Sequence, residues 1–201
     1  MSTRYPIPNG ESTVELYFKN SRFIGRAAYT PSVAEARAFI ERVKAEYPNN
    51  SHTVYAFAVG HGATVTHGMS DAGEPSGTAG RPALAVVRGS NLGDVTVAIV
   101  RYFGGTKLGT GGLVKAYTET AQAALAALDV TEKVERVTVL VAIGYPHYEQ
   151  LRRLVEIHHG TVEDEKFATD VTLTLNFVID ELPAFEADLA ELTNGQVSVV
   201  K

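Results

Sequence analysis

The sequence contains no cysteine, which excludes disulfide bonds, thiolate nucleophiles and cysteine-ligated zinc. It also lacks any apolar run close to the ~18–20 residues that a membrane-spanning helix needs. The first residues, MSTRYPIPNGE, have no apolar core of the kind that a signal peptide requires. Together these absences predict a cytoplasmic protein with no membrane partner.

Acidic residues are scarce in one part of the chain and abundant in another. Between Pro75 and Thr118 there are five basic residues and a single acid, Asp94. Residues 1–136 carry a net charge of +2 and residues 137–201 carry −7, so that the whole chain carries −5. The overall charge argues against a generic nucleic-acid binder. The first part of the chain is nevertheless suited to an anionic partner, whereas the second is not.

Glycine is concentrated where the acids are scarce, most clearly in the stretch VRYFGGTKLGTGGLVKAY at residues 100–117. The pattern predicts a buried strand that ends near Phe103, a glycine-rich loop, and a helix from about Gly111. Free N–H groups and the dipole at the start of a helix attract anions. We therefore predict an anion-binding or ligand-binding site formed by Arg101, Gly104, Gly105, Lys107, Gly109, Gly111 and Lys115.

The glycine loop matches neither of the two familiar phosphate-binding motifs. Gly104 and Gly109 have the spacing of a Walker A loop, but Thr110 follows where that motif needs lysine. Gly109 and Gly111 begin a dinucleotide fingerprint, but position 114 is valine instead of glycine. The glycines can equally be explained by close packing between strand and helix, and the sequence leaves both explanations open.

A second glycine-rich loop, residues 70–81, carries hydroxyl groups, two carboxylates and an arginine. Its carboxylates, Asp71 and Glu74, are candidates for general acid and base or for metal ligands, although such residues more often cap turns and helices. The candidates associated with this loop are His52, Asp71, Glu74, Ser76, Thr78 and Arg81. The spacing of the histidines fits no metal motif, and we expect neither a metal nor a cofactor.

The order of predicted elements indicates a two-domain α+β protein. From Val137 onward the pattern reads β-α-β-β-α-β, with a last strand at 196–200, which is typical of a ferredoxin-like domain. We therefore predict a domain of mixed strands and helices at residues 1–136 and a ferredoxin-like domain at residues 137–201.

Three blocks of sequence resemble the IMPACT family in its bacterial YigZ-type branch. These blocks are His52–Ala56 (HTVYA), Ser70–Gly80 (SDAGEPSGTAG) and Val97–Gly109 (VAIVRYFGGTKLG). The resemblance covers about residues 20–128 strongly. It implies a first domain like one domain of a small-subunit ribosomal protein, and a second like the ferredoxin-like C-terminal domain of elongation factor G.

The resemblance also implies a role in translation, with RNA, the ribosome or a translation-related protein as partner. Eukaryotic relatives act in translational control and use an extra N-terminal domain to bind a protein that activates a stress kinase. Strands predicted from about residue 11 leave no such domain here, so we do not expect that partner. The family supplies no catalytic residues to transfer.

Three hypotheses about function follow. The first is a translation-associated regulatory or binding protein that uses the basic glycine-rich loops. The alternative is an enzyme that holds a small phosphorylated or carboxylated ligand in a pocket between the two loops, which requires the loops to converge. The third is a surface for self-association or protein binding. The sequence does not fix the oligomeric state.

Overall fold

The computed structural model describes residues 4–200, and the chain divides after Lys133 into two α+β units. The strands of the first unit are β1 (Arg4–Pro8), β2 (Glu11–Phe18), β3 (Ser21–Tyr29), β4 (His52–Val59), β5 (Thr66–Ser70), β6 (Val95–Tyr102) and β7 (Val130–Val134), the last of which ends at the division. Its helices are α1 (Val33–Glu46), α2 (Gly80–Gly89) and α3 (Gly109–Ala126). The second unit contains β8 (Arg136–Ile143), α4 (Tyr148–Ile157), β9 (Thr161–Phe167), β10 (Val171–Val178) and α5 (Leu182–Leu192).

The first unit is built on a five-stranded sheet in the order β2-β3-β6-β4-β5, in which every neighbouring pair is antiparallel. Alternate residues of β6 face opposite sides of the sheet. Val97 and Ile99 pack with α2 and α3, whereas Ala98 and Val100 pack with α1. Burial on both faces explains why the sequence of β6 is a nearly continuous apolar run.

Helices α2 and α3 begin at the same end of this sheet. Strands β5 and β6 are both antiparallel to β4, so they run in the same direction. Each strand leads through a glycine-rich loop into a helix on the same face. The two loops that the sequence singled out are therefore neighbours at one end of the sheet.

The second unit confirms the predicted two-domain α+β architecture. Its sheet has the order β8-β10-β9, and the buried apolar side chains of α4 and α5 pack on one face of it. The predicted last strand at 196–200 is reduced to a single bridge between Leu140 and Val200, which places Val200 beside β8. Within the described residues, no helix has both the length and the apolarity to cross a membrane.

One buried carboxylate attaches a small two-stranded sheet, β1-β7, to the main sheet, and sequence analysis did not predict that small sheet. Asp94 is 1% exposed, and its Oδ2 accepts hydrogen bonds from the Tyr5 hydroxyl (3.0 Å) and Lys133 Nζ (2.6 Å). Its Oδ1 accepts from the backbone N–H of Gly60 at 2.7 Å. Burial disfavours the charged form of Lys133, but the bonds to Asp94 and Tyr5 outweigh it and raise the pKa of Lys133.

Replacing Asp94 with Asn should lower the free energy of unfolding by about 2 kcal/mol or more, because Lys133 loses its buried countercharge while the shape of the side chain is kept. Urea unfolding measures the loss. The matched control is Asp129→Asn, since Asp129 is exposed. Equal effects of the two substitutions would show that Asp94 is not the anchor of the β1-β7 sheet.

Candidate functional site

The two glycine-rich loops meet at a buried cluster of Glu74, Arg101 and Tyr117. Glu74 comes from the loop before α2, Arg101 from the end of β6, and Tyr117 from α3. The Glu74 Oε1 atom accepts hydrogen bonds from Arg101 Nη1 at 2.6 Å and from the Tyr117 hydroxyl at 2.7 Å. The side chains of Glu74 and Arg101 are only 3% and 6% exposed. The convergence that a pocket between the loops requires is therefore present.

Arg101 does not face an anion from solvent, contrary to the sequence prediction. Its guanidinium lies 5.5 Å from the ring centres of both Phe23 and Phe103, and its Nη2 donates to Ser21 Oγ at 3.4 Å. The charge of Arg101 is matched by Glu74, because an unpaired charge in this position would be very costly. Arg101 thus holds the strand end and the two loops together.

Tyr117 and His52 complete the surroundings of Glu74. Burial and the bond to Glu74 raise the pKa of Tyr117, so its hydroxyl stays protonated and donates. His52 Nδ1 lies 2.9 Å from the carbonyl oxygen of Ala72 and must donate to it, since a carbonyl can only accept. The other ring nitrogen, Nε2, lies 3.9 Å from Glu74 Oε2. The Oε1 atom of Glu74 is therefore held by Arg101 and Tyr117, and Oε2 faces the His52 ring.

The side chain of Asp71 caps the start of α2. Its carboxylate accepts hydrogen bonds from the backbone N–H groups of Gly77 (2.8 Å), Ala79 (3.0 Å) and Gly80 (2.7 Å). Partial burial opposes ionisation, but the bonds from these three N–H groups outweigh it and hold the pKa of Asp71 below its ordinary value. The anion-attracting end of α2 is thus occupied by the chain's own carboxylate.

The remaining residues of the second loop divide between internal and exposed positions. Thr78 is buried, and its hydroxyl donates to the carbonyl oxygen of Pro75 at 2.7 Å. Ser76 and Arg81 are exposed. Of the predicted candidates in this loop, Asp71, Glu74 and Thr78 serve the fold directly, and Arg81 remains available to a partner.

The start of α3 differs from that of α2, because its N-cap residue is Leu108 and no side chain caps it within residues 4–200. Lys107, directly before it, is exposed. Lys19, in the turn between β2 and β3, donates from Nζ to the carbonyl oxygen of Lys107 at 3.1 Å. Two exposed lysines therefore flank an uncapped helix start. Further along the helix, the Nζ atom of Lys115 lies 3.7 Å from Glu119 Oε1.

The glycines of this loop have different physical roles. A Cβ atom placed on Gly104 would lie 1.8 Å from the carbonyl oxygen of Asn20, and the N–H of Gly104 donates to Ser21 Oγ at 3.3 Å. Gly104 is therefore needed for packing, not for an anion. Gly105 and Gly109 have positive φ of 82° and 76°, which favours glycine. At Gly111, by contrast, a Cβ would meet nothing within 4 Å and φ lies outside the left-handed region.

A groove of about 780 Å³ lies between α2 and α3. Its wall includes Arg81 and Pro82 from α2, and Val114 and Thr118 from α3. Among the described residues, no carboxylate lines it. This groove therefore lacks the acid–base pair that the enzyme hypothesis assigned to Asp71 and Glu74.

Sequence analysis missed Tyr117, which binds Glu74, and Lys19, which lies beside the start of α3. Lys19 lies more than eighty positions before Lys107 in the sequence, in a hairpin turn that carries no motif. Only the antiparallel pairing of β3 with β6 brings that turn to the end of β6. The order of strands in the sheet would have been needed to find it.

Comparison with known proteins matches both parts of the chain. Residues 19–125 match the Impact N-terminal domain, and residues 141–196 match a domain of unknown function, DUF1949. The chain is 35% identical to an IMPACT family member of Haemophilus influenzae, over 97% of this chain and 95% of the relative. It is also 35% identical to the IMPACT family member YigZ of Escherichia coli, over 96% of each chain. A crystal structure of a hypothetical protein has a TM-score of 0.74 and 34% identity, and covers 100% of this chain and 98% of that one.

Replacing Asp71 with Asn should destabilise the protein near pH 7 by about 1 kcal/mol, because the amide offers one accepting oxygen where the carboxylate offers two. Because the pKa of Asp71 is lowered by folding, this stabilisation is complete above the unfolded pKa of about 4 and is lost as the pH falls through the lower folded pKa. Denaturant unfolding of both proteins at pH 7 and below pH 4 should show the difference shrinking in acid. A difference that does not change with pH would contradict the assignment.

Proposed function

Because the chain belongs to the IMPACT family, we propose that it is a translation-associated binding protein whose first unit contacts RNA phosphate at the start of α3. Membership of the family supports the role in regulating translation. The choice of RNA rests on the chemistry of this one surface. The matched region, residues 19–125, includes both glycine-rich loops and both lysines that flank the helix start.

The observation that carries the proposal is Gly111. Glycine inside a helix costs roughly 0.5–1 kcal/mol relative to alanine. At Gly111 neither neighbouring atoms nor a positive φ requires glycine. A bare backbone at this point instead allows another molecule to approach the first turn of α3 closely. The uncapped N–H groups of that turn are donors suited to a phosphate oxygen.

The charges around Gly111 agree with an anionic partner. Lys19 and Lys107 are exposed beside the helix start, and the first turn of α3 contains no acidic residue. Lysine ammonium groups bind phosphate as mobile point charges without needing a fixed geometry. RNA contacts of this kind would be made by the first unit alone, since the second part of the chain is strongly acidic.

The enzyme hypothesis has less support. Asp71 is committed to the start of α2, and Glu74 Oε1 to Arg101 and Tyr117. A general base must be free to reach a substrate proton. Both oxygens of Asp71 are bound, and Glu74 has one bound oxygen and a side chain that is only 3% exposed, so neither carboxylate is open to a substrate.

Replacing Gly111 with Ala should raise the free energy of unfolding by about 0.5–1 kcal/mol and weaken the binding of labelled oligouridine by about tenfold. The methyl group favours the helix but occupies the space that the phosphate would enter. Fluorescence anisotropy measures binding and urea unfolding measures stability.

The matched control for this substitution is Gly89→Ala. Gly89 is also helical and also has open space around a Cβ, but it lies at the far end of α2. It should gain stability without losing RNA affinity. If Gly111→Ala binds oligouridine as the wild type does, the start of α3 is not the contact.

Replacing Lys19 and Lys107 together with alanine should weaken oligouridine binding and reduce its dependence on salt. Each lost phosphate contact should lower the slope of log affinity against log salt concentration by about 0.7. The control is Arg37→Ala with Lys44→Ala, which removes the same charge from α1 on the opposite face of the sheet. Equal losses in the two double variants would mean that net charge, and no local site, governs binding.

A further inference from the structure

The second unit carries an exposed cluster of aromatic rings at one end of its sheet. The cluster consists of Tyr145, Tyr148 and Phe167, and we call it the aromatic cluster. Phe167 is 58% exposed and Tyr145 is 52% exposed. Their ring centres lie 6.5 Å apart with 30° between the planes, and Tyr148 meets Phe167 edge to face at 5.6 Å. The two exposed rings form a contiguous surface that the core of the unit does not use.

Hydrogen bonds fix the two tyrosines of the aromatic cluster. The Tyr145 hydroxyl donates to the carbonyl oxygen of Ala168 at 2.9 Å, next to Phe167. The Tyr148 hydroxyl donates to Glu165 Oε2 at 3.0 Å. Groups that are held before a partner arrives lose less entropy on binding. The aromatic cluster is thus a preformed surface.

Carboxylates lie beside these rings, and one of their oxygens is not satisfied. Glu165 Oε1 is buried and has no hydrogen-bond partner within residues 4–200. Arg152 Nε is 3.8 Å from it, which is too far for a hydrogen bond. Asp170 lies beside Gly144, the residue before Tyr145. Glu165 Oε1 therefore faces Arg152 and is closed to solvent, so Glu165 adds negative charge beside the rings but no open acceptor.

The nearest cations do not make the net charge around the aromatic cluster positive. Arg152 lies against Glu165 and Tyr148, and Lys166 lies 3.6 Å from Asp164. Residues 137–201 as a whole carry a net charge of −7. A polyanion such as RNA is repelled by this charge, whereas a cation is attracted both to the carboxylates and to the faces of the rings.

We propose that the aromatic cluster binds an arginine-containing basic segment of a partner protein. A planar guanidinium can stack on the exposed ring of Tyr145 or Phe167 while the neighbouring carboxylates attract its charge, and a lysine ammonium stacks less well. The surface lies in the second unit and uses none of the residues proposed to contact RNA. It therefore gives the protein a second partner of opposite charge.

The test uses the full chain and a fluorescein-labelled peptide of alternating glycine and arginine, with a glycine–lysine peptide for comparison. Tyr145→Ala with Phe167→Ala should weaken binding of the arginine peptide by about tenfold, because each ring contributes about threefold. Glu165→Gln should weaken it as well. The control is Ile157→Ala, since Ile157 is 67% exposed on α4 but lies outside the aromatic cluster.

The outcomes separate the proposal from its alternatives. Loss of arginine-peptide binding with unchanged thermal unfolding, and weaker binding of the lysine peptide throughout, would support it. Phe167→Leu keeps an apolar side chain without a ring and should behave like Phe167→Ala. Unchanged peptide binding in the double variant would overturn the proposal. So would a loss confined to oligouridine, which would make the rings a site for base stacking.

Discussion

The buried ion pair between Glu74 and Arg101 is the contact on which the first unit depends. It joins the loop before α2 to the end of β6, and Tyr117 adds α3 through the same carboxylate oxygen. Removing two charges from water is costly, so such a pair adds little to net stability, yet losing either partner leaves the other charge unpaired. The pair instead fixes the relative position of the loop before α2, the end of β6 and α3, since these three elements must meet in one arrangement if both charges are to be paired.

This arrangement leaves α2 and α3 with unequal N-terminal ends. The end of α2 is neutralised by Asp71, whereas the end of α3 is uncapped within the described residues and has lysines beside it. Both helices carry the same positive partial charge at their starts. The chain therefore satisfies one of these ends internally and presents the other to solvent.

Much of the fold follows from local sequence patterns, and much of the site does not. The apolar run of β6 identifies its strand, and the order of elements after Val137 identifies the α+β pattern of the second unit. The burial of Arg101 could not be predicted, because its partner Glu74 lies 27 positions away in the loop before α2. The glycines also look alike in the sequence. Only neighbouring atoms distinguish Gly104, which packs against Asn20, from Gly111, which packs against nothing.

The small sheet formed by β1 and β7 pairs the first strand of the first unit with its last strand. Strand β1 begins at Arg4, and its partner β7 ends at Val134. A chain that is synthesised from its N-terminus cannot form this pairing until nearly all of the unit has been made. The closing contact also has a high sequence separation, which makes it slow relative to local hairpins. The β2–β3 hairpin can therefore form early in synthesis, whereas β1 can pair only after β7 has been made.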